Sequence, residues 1–360
     1  MALGYARYLL RSITEAVGGA TPHLKVDARG LTKMLYTGKG SSPIRNTEPD
    51  GGNKREIRYW FRERNTKAQV DTSYTCDNVL TPARKEMTLT ASNVVQIGYH
   101  LPYDLITNYD KEMTASASLA GKPATKELLD VMAGGCNAIL EKMNEVLVAA
   151  ITYGKNSVTG ASTAQSINFP QASTTQILNN GMAKVISDYK RNGLTGIPNF
   201  ICGPGLPFQY ATYAALMSQA AQNGFDNRLA TSWGDWYMDQ DVTADEFVAF
   251  EPGSIQIVEY LENLFKPGRL ANSDFFTATL PVLDPLGNSV AVPFDMQLKE
   301  IDCPTTLTDA YTGSTATYNR GHSLIIWKNF GLFQIPSDAY RAEDQQFLSN
   351  GSLRFTATNS

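Results

Sequence analysis

Histidine and cysteine are scarce in this chain of 360 residues, with three of the first and four of the second. His23, His100 and His322 lie far apart, which argues against a histidine-based metal site. Among Cys76, Cys136, Cys202 and Cys303 no pair has metal-ligand or redox spacing. Cys136 and Cys202 fall in apolar stretches, so buried free thiols are expected, in keeping with a reducing compartment. No apolar run approaches the roughly eighteen residues of a transmembrane helix. The opening MALGYARYLLRSITEAVGG is interrupted by Arg7, Arg11 and Glu15, and is read as a short N-terminal arm rather than a signal peptide. No GxSxG, HExxH, CxxC or kinase signature occurs. The expectation is therefore no metal, no cofactor, no membrane and no enzymatic activity.

Charge is present but unevenly placed. Residues 1–85 hold 15 Lys and Arg against 8 Asp and Glu, a balance of +7, and the remainder holds 16 against 27, a balance of −11. Such asymmetry is found in nucleic-acid binding. It equally suits a basic part of one copy lying on an acidic part of another.

The strongest local signal is one long helix, predicted from about Pro123 to Tyr153. Pro123 suits a first turn, where a missing N–H costs nothing. Leu128, Met132, Cys136, Ile139, Met143, Val146 and Ala150 then recur at helical spacing, and Gly154 is the expected stop. At 1.5 Å per residue it would be about 45 Å long. The stripe keeps register through Gly134 and Gly135. Each costs roughly 1 kcal/mol against Ala in a helix interior, so a bend or a close backbone contact is expected there.

Before the helix, residues 1–55 read as an extended arm with one short helix near 5–17. REIRYWFRER (55–64) alternates as a strand, a polar tip follows, and KEMTLTASNVVQIGYHL (85–101) returns. A lone two-stranded hairpin is at best marginal in water, so this one must rest on its own body or on another molecule. After the long helix, 174–192 reads as a second helix, GIPNFICGPG (196–205) as a buried strand with a tight turn, and 206–224 as a third helix. DEFVAFEPGSIQIVEY (245–260) reads as strand, turn, strand, with apolar alternation over 274–302. SLIIWKNFGLFQIP (323–336) reads as a strand pair, and LRFTATN closes the chain.

Three stretches invite a chemical reading. CGPGLP (202–207) resembles a phosphate cradle, but it lacks Gly-Lys-Ser/Thr, and a strand-to-helix turn is the better reading. SWGDWYMDQDV (232–242) interleaves Trp233, Trp236 and Tyr237 with Asp235, Asp239 and Asp241. Acids beside aromatics serve glycosidases and hard cations; the plain alternative is a loop with aromatics packed at an interface. Arg55, Arg58, Arg62 and Arg64 around Trp60 would suit nucleic acid, yet the acidic whole and the absence of a binding motif favour inter-subunit contact. Asn350-Gly351-Ser352 matches a glycosylation signal and is read as a turn.

The order of these elements resembles the tailed-phage major capsid proteins, whose shared fold is named after phage Hong Kong 97. The resemblance spans nearly the whole chain and rests on architecture: the hairpin, the helix, the strand-turn-helix NFICGPGLPFQYATY, and segments of the form EFVAFEPGSIQIVEY. It implies an α+β fold with an N-terminal arm (1–54), an E-loop β-hairpin (55–104) and a P-domain part with the spine helix (105–169). An A-domain (170–244) and a β-rich return (245–360), mainly P-domain with a possible A-domain part, complete it. It further implies a structural protein that self-assembles as hexamers and pentamers around the double-stranded DNA of a tailed phage. Expected partners are further copies of itself, a scaffolding protein, a portal, a possible decoration protein, and DNA held without sequence-specific contacts. Assembly would take place in the host cytoplasm. Arg55, Arg58, Trp60, Arg62, Arg64 and Lys67 become inter-subunit contact candidates, and Gly134 and Gly135 a hinge in the spine helix. Some members join subunits by Lys–Asn bonds, for which Lys67 is the candidate lysine. Mild acidity fits, because a basic lining would hold DNA by counterion release. Two alternatives remain: an encapsulin-like shell around protein cargo, and a carbohydrate-active or carbohydrate-binding protein using the Trp233–Asp241 cluster.

Overall fold

The computed structural model describes residues 28–38, 40–45, 56–62, 84–115, 122–155, 162–168, 184–205, 235–262, 268–270, 273–283, 289–301, 305–308, 312–318, 321–337 and 350–358. The helix read at 5–17, that at 206–224 and the first half of that at 174–192 lie outside the described residues.

The longest helix, α3 (Pro123–Ala149), begins at Pro123 as expected. Leu128, Met132, Cys136, Ile139 and Met143 form its buried stripe, joined by Leu140 and Leu147. It stops at Ala149, four residues before the predicted end, and Ala150 is exposed. Beyond it, Thr152 is tied by its N–H to Gln334 Oε1 at 3.0 Å and by its carbonyl to Asn350 Nδ2 at 2.7 Å. Those side chains, distant in the chain, take up the backbone before Gly154 is reached. The helix start has no side-chain cap from Lys122. Instead Glu112, on the preceding helix α2 (Tyr103–Ala115), accepts the N–H groups of Ala124 and Thr125 at 3.0 Å each. A carboxylate there also meets the positive end of the helix dipole.

The face of α3 lies on a seven-stranded sheet ordered β1 (Ile44–Arg45), β9 (Ile255–Tyr260), β15 (Gly321–Gln334), β12 (Ser289–Ile301), β11 (Ser273–Leu283), β10 (Gly268–Leu270), with β4 (Asn93–Pro102) on the other flank of β15. β15 is one continuous strand of 14 residues, not the predicted pair. Gly331 lies within it, in extended backbone. A Cβ there would strike the carbonyl of Thr90, so the glycine admits a crossing chain.

β15 pairs with β12 through Trp327 and with β9 from Asn329 onward. The two neighbours diverge at Lys328, and buried charge fills the fork. Lys328 Nζ donates to the Pro293 carbonyl at 2.7 Å and meets Glu259 Oε1 at 2.5 Å. Tyr36 Oη donates to the same carboxylate, and Arg45 Nε reaches Oε2 at 2.8 Å. Burial alone would raise the Glu259 carboxyl. The Lys328 charge and the bonds from Arg45, Lys328 and Tyr36 outweigh it and hold the group below its ordinary value.

Tyr36 belongs to α1 (Gly30–Thr37), a helix where only extended arm was expected. Leu31, Met34 and Leu35 are fully buried, so this helix is part of the core. The signal is a single apolar triplet on two turns, too short to stand out by periodicity. α1 is capped from afar: its Leu31 N–H donates to Asp239 Oδ2 at 2.7 Å and its Thr32 N–H to Asn144 Oδ1 at 2.9 Å. Gly30, at φ +55, leaves room for Asp239 that a side chain would occupy.

A second sheet runs β5 (Gln165–Asn168), β16 (Ser352–Thr358), β8 (Glu246–Phe250), β6 (Asn199–Cys202), β7 (Trp236–Met238). The helix at 184–191, α4, contributes Val185 and Tyr189 to the same apolar cluster as Phe200, Phe247 and Phe355. β8 and β9 read as neighbours across Pro252-Gly253, yet they belong to different sheets. The turn, with Gly253 at φ +82, carries the chain from one to the other. β8 and β16 thus stand with the strands before residue 244, and the division placed at 244/245 cuts through a sheet.

Candidate assembly surface

β2 (Glu56–Arg62) and β3 (Arg84–Thr90) form an antiparallel hairpin with Tyr59 opposite Met87 and Trp60 opposite Glu86. The return, read as a strand or strands, is two: β3 completes the hairpin, whereas β4 enters the main sheet. Residues 85–101 are therefore not one finger. Alternation gives the hairpin two unlike faces. Ile57, Tyr59, Met87 and Leu89 pack on Val258, Tyr260 and Phe333 of the body, and the Tyr59 and Phe333 rings lie 4.7 Å apart. The described base of the hairpin therefore rests on its own chain.

The outward face carries Arg58, Trp60, Arg84 and Glu86. Trp60 is 45% exposed. The Arg84 guanidinium lies 3.6 Å from its ring centre, and Arg58 Nε stands 3.5 Å from Glu86 Oε1. At this exposure a cation–π contact contributes about 0.5–1 kcal/mol and an ion pair at most about 1 kcal/mol. Both are cheap to exchange for contacts with a second molecule. Arg84 and Glu86 were missed in the sequence; the signal that finds them is β3 alternation carried one residue further back and read across the hairpin register. Of the other candidates, Arg62 closes β2 opposite Arg84, while Arg55, Arg64 and Lys67 lie outside the described residues.

The remaining sequence candidates have structural work. Asp239 is fully buried and bonds Leu31, Asn144 and Asp241. Trp236 stacks on Phe200 with ring centres 4.2 Å apart. The Trp233–Asp241 cluster therefore offers no shared cleft built on Asp239, and Trp233 lies outside the described residues. In CGPGLP, the N–H groups of Gly203 and Gly205 donate to the carbonyls of Glu246 and Ala244 at 2.9 and 3.0 Å. They hold backbone rather than phosphate. Asn350 is buried on Thr152, which a glycan would disrupt. Among the described residues no group of His, Cys, Asp and Glu is placed to hold a metal ion.

No family model matches the chain, and no curated protein matches it. Solved structures do. One from Mycobacterium phage Adephagia superimposes with a TM-score of 0.50 at 12% identity, covering 94% of this chain and 94% of that one. The capsid asymmetric unit of cyanophage A-1(L) gives 0.49 at 10% identity, covering 91% and 92%. The chain has the tailed-phage capsid fold. The virus-like particle from Pyrococcus furiosus aligns at a TM-score of 0.41 and 8% identity, over 97% of this chain and 98% of that one.

In this capsid fold the two central glycines of α3 have different surroundings. A Cβ on Gly135 would stand 2.8 Å from Ile326 Cδ1 and 2.9 Å from Tyr99 Cε2, whereas one on Gly134 meets nothing within 4 Å. Gly135 is thus the close contact between helix and sheet. Gly134 is exposed and is left with conformational freedom alone.

Proposed function

We propose that this chain is the repeating shell subunit of a tailed double-stranded DNA phage, a major capsid protein built into hexamers and pentamers. The supporting observation is a fold likeness that runs over 94% of both chains. The hairpin supplies the contact: its outward face presents Arg58, Trp60 and Arg84 to the acidic body of a neighbouring copy. Arg55, Arg62, Arg64 and Lys67 extend that basic surface in the sequence. Contacts of this head-to-tail kind close into rings, and many weak ones sum in a closed shell. The A-domain assigned to 170–244 gains β8 and β16 in this reading, and Gly134 serves as the hinge at which the spine helix changes curvature. A scaffolding protein, a portal and a decoration protein are the expected partners, with assembly in the host cytoplasm and the virion capsid as destination.

Negative-stain imaging of the purified chain tests this directly. Closed shells are expected; a lone monomer under every assembly condition overturns the reading. Nuclease-protected DNA inside particles formed alongside the packaging machinery supports a genome shell, and protein cargo in its place overturns that part. Replacing Trp60 and Arg84 together by Ala should abolish shells while shifting the unfolding free energy by no more than about 1–2 kcal/mol. Particle formation should also weaken as salt rises past about 0.15 M, since exposed charges are then screened within about 8 Å.

A further inference from the structure

Residues three and four apart share one face of a helix. On the side of α3 turned away from the sheet these are Glu127, Asp130, Gly134, Ala138, Glu141 and Glu145. Glu127, Glu141 and Glu145 are exposed, and Lys142 pairs with Glu145 at 2.6 Å. Between the acids the ridge is low, because Ala138 adds only a methyl group and open space stands over Gly134. The chain enters the described fold beside this ridge. Arg29, just before α1, places Nη1 3.8 Å from Glu141 Oε1, and one turn further along α3 the Asn144 carbonyl oxygen accepts the Thr32 N–H. Ahead of Ala28 lie 27 residues, of which 5–17 read as a short helix. Ala6, Leu9, Leu10, Ile13 and Val17 fall on one side of it at helical spacing, with Arg7 and Arg11 one turn apart beside them.

We propose that residues 5–17 dock as a helix along the outward ridge of α3 in the same chain. Their apolar side covers Gly134 and Ala138, and Arg7 and Arg11 meet the acids of the ridge. Basic arm and acidic ridge are complementary, and the lengths agree. A helix over 5–17 spans about 20 Å, and Glu127 to Glu141 spans about 21 Å. The stretch from 18 to 28 reaches at most about 40 Å when extended, so it can carry that helix to either end of the ridge. The hairpin of the same chain is not the occupant. Ile326, which faces Gly135 of α3, and Phe333, under the hairpin base, alternate to opposite faces of the sheet. The seat belongs to the single chain and needs no shell.

Hydrogen exchange of the full chain, unassembled and in dilute solution, tests it. Amides of residues 5–17 should exchange at least about tenfold more slowly than an unstructured chain of the same sequence. Reversing the ridge with Glu127→Lys, Glu141→Lys and Glu145→Lys together should bring them within about twofold of the unstructured rate. Arg7→Glu with Arg11→Glu should do the same, and covers the case in which the ridge variant fails to fold. Slow exchange across β15 checks in each variant that the body is folded. Combining both sets restores opposite charges and should recover at least half of the lost protection. Absence of protection in the unaltered chain, protection that survives reversal of the ridge, or no recovery in the combined variant overturns the seat. Protection that disappears on dilution places the helix on a second copy and overturns the same-chain seat as well.

Discussion

Glu259 shows how much one residue can be asked to organise. Its carboxylate joins an N-terminal helix through Tyr36, an edge strand through Arg45 and the central strand through Lys328. Glu259→Gln leaves Lys328 charged, fully buried and without its counter-ion, so a loss of about 3–5 kcal/mol is expected in urea unfolding. Replacing both Glu259 and Lys328 by apolar residues of similar size should cost less than that single change. The pH dependence has a definite sign. The folded carboxyl lies below its ordinary value of 4.5, so its contribution is complete above that pH and is lost as pH falls towards the lowered folded value. Arg45→Ala should move the onset of that loss to higher pH, read as the acid midpoint of unfolding. None of this was legible in the sequence. Lys328 and Glu259 look like ordinary polar residues on alternating strands, and only the change of neighbour from β12 to β9 buries them together.

At the scale of elements, what was legible followed from period and punctuation. The spine helix announced itself because Pro123 and a regular apolar stripe agree, and β6 because Phe200-Ile201-Cys202 is a short apolar run ending at a Gly-Pro-Gly turn. Failures occurred where tertiary contacts override local signals. SLIIWKNFGLFQIP read as two strands because nothing in the sequence tells that its glycine admits Thr90 lying across a single one. The end of α3 was placed at Gly154 because the side chains that stop it, Gln334 and Asn350, come from the far end of the chain. Of the candidate surface, Arg58 and Trp60 were found by alternation, but the partners that frame them sit across the hairpin. The two glycines of α3 separate cleanly by experiment. Gly134→Ala should stabilise by about 0.5–1 kcal/mol, as expected for an open helical position. Gly135→Ala should destabilise by about 1–3 kcal/mol because Ile326 and Tyr99 must move. Equal effects in thermal melts would contradict the assignment of distinct roles.

For the molecule as a whole, two sheets share one chain that changes sheet at 251–254, and α1 lies against strands of both. The capsid fold was legible because it is an order of elements rather than a motif, and order survives where identity falls to 12%. The allocation of strands to sheets was not, because β8 and β9 are separated only by a short turn whose direction the sequence does not state. The buried α1 segment was hidden by its composition: glycine and polar residues surround a short apolar triplet, which reads as arm until its contacts with both sheets are seen.

The position of β15 in the chain sets a timetable for synthesis. β4 is complete at Pro102, but its ladder partner among the described residues ends at Gln334. At about 5–20 residues per second, a ribosome needs on the order of 10–50 s to cover that interval. Through that time β4 lacks this neighbour, as β9 and β12 do from the moment each is made, and chaperone cover or rapid collapse must protect them. A chain terminated before residue 321 should accumulate as aggregate in a solubility assay rather than as a half-folded species, whereas one ending just after residue 358 should remain soluble.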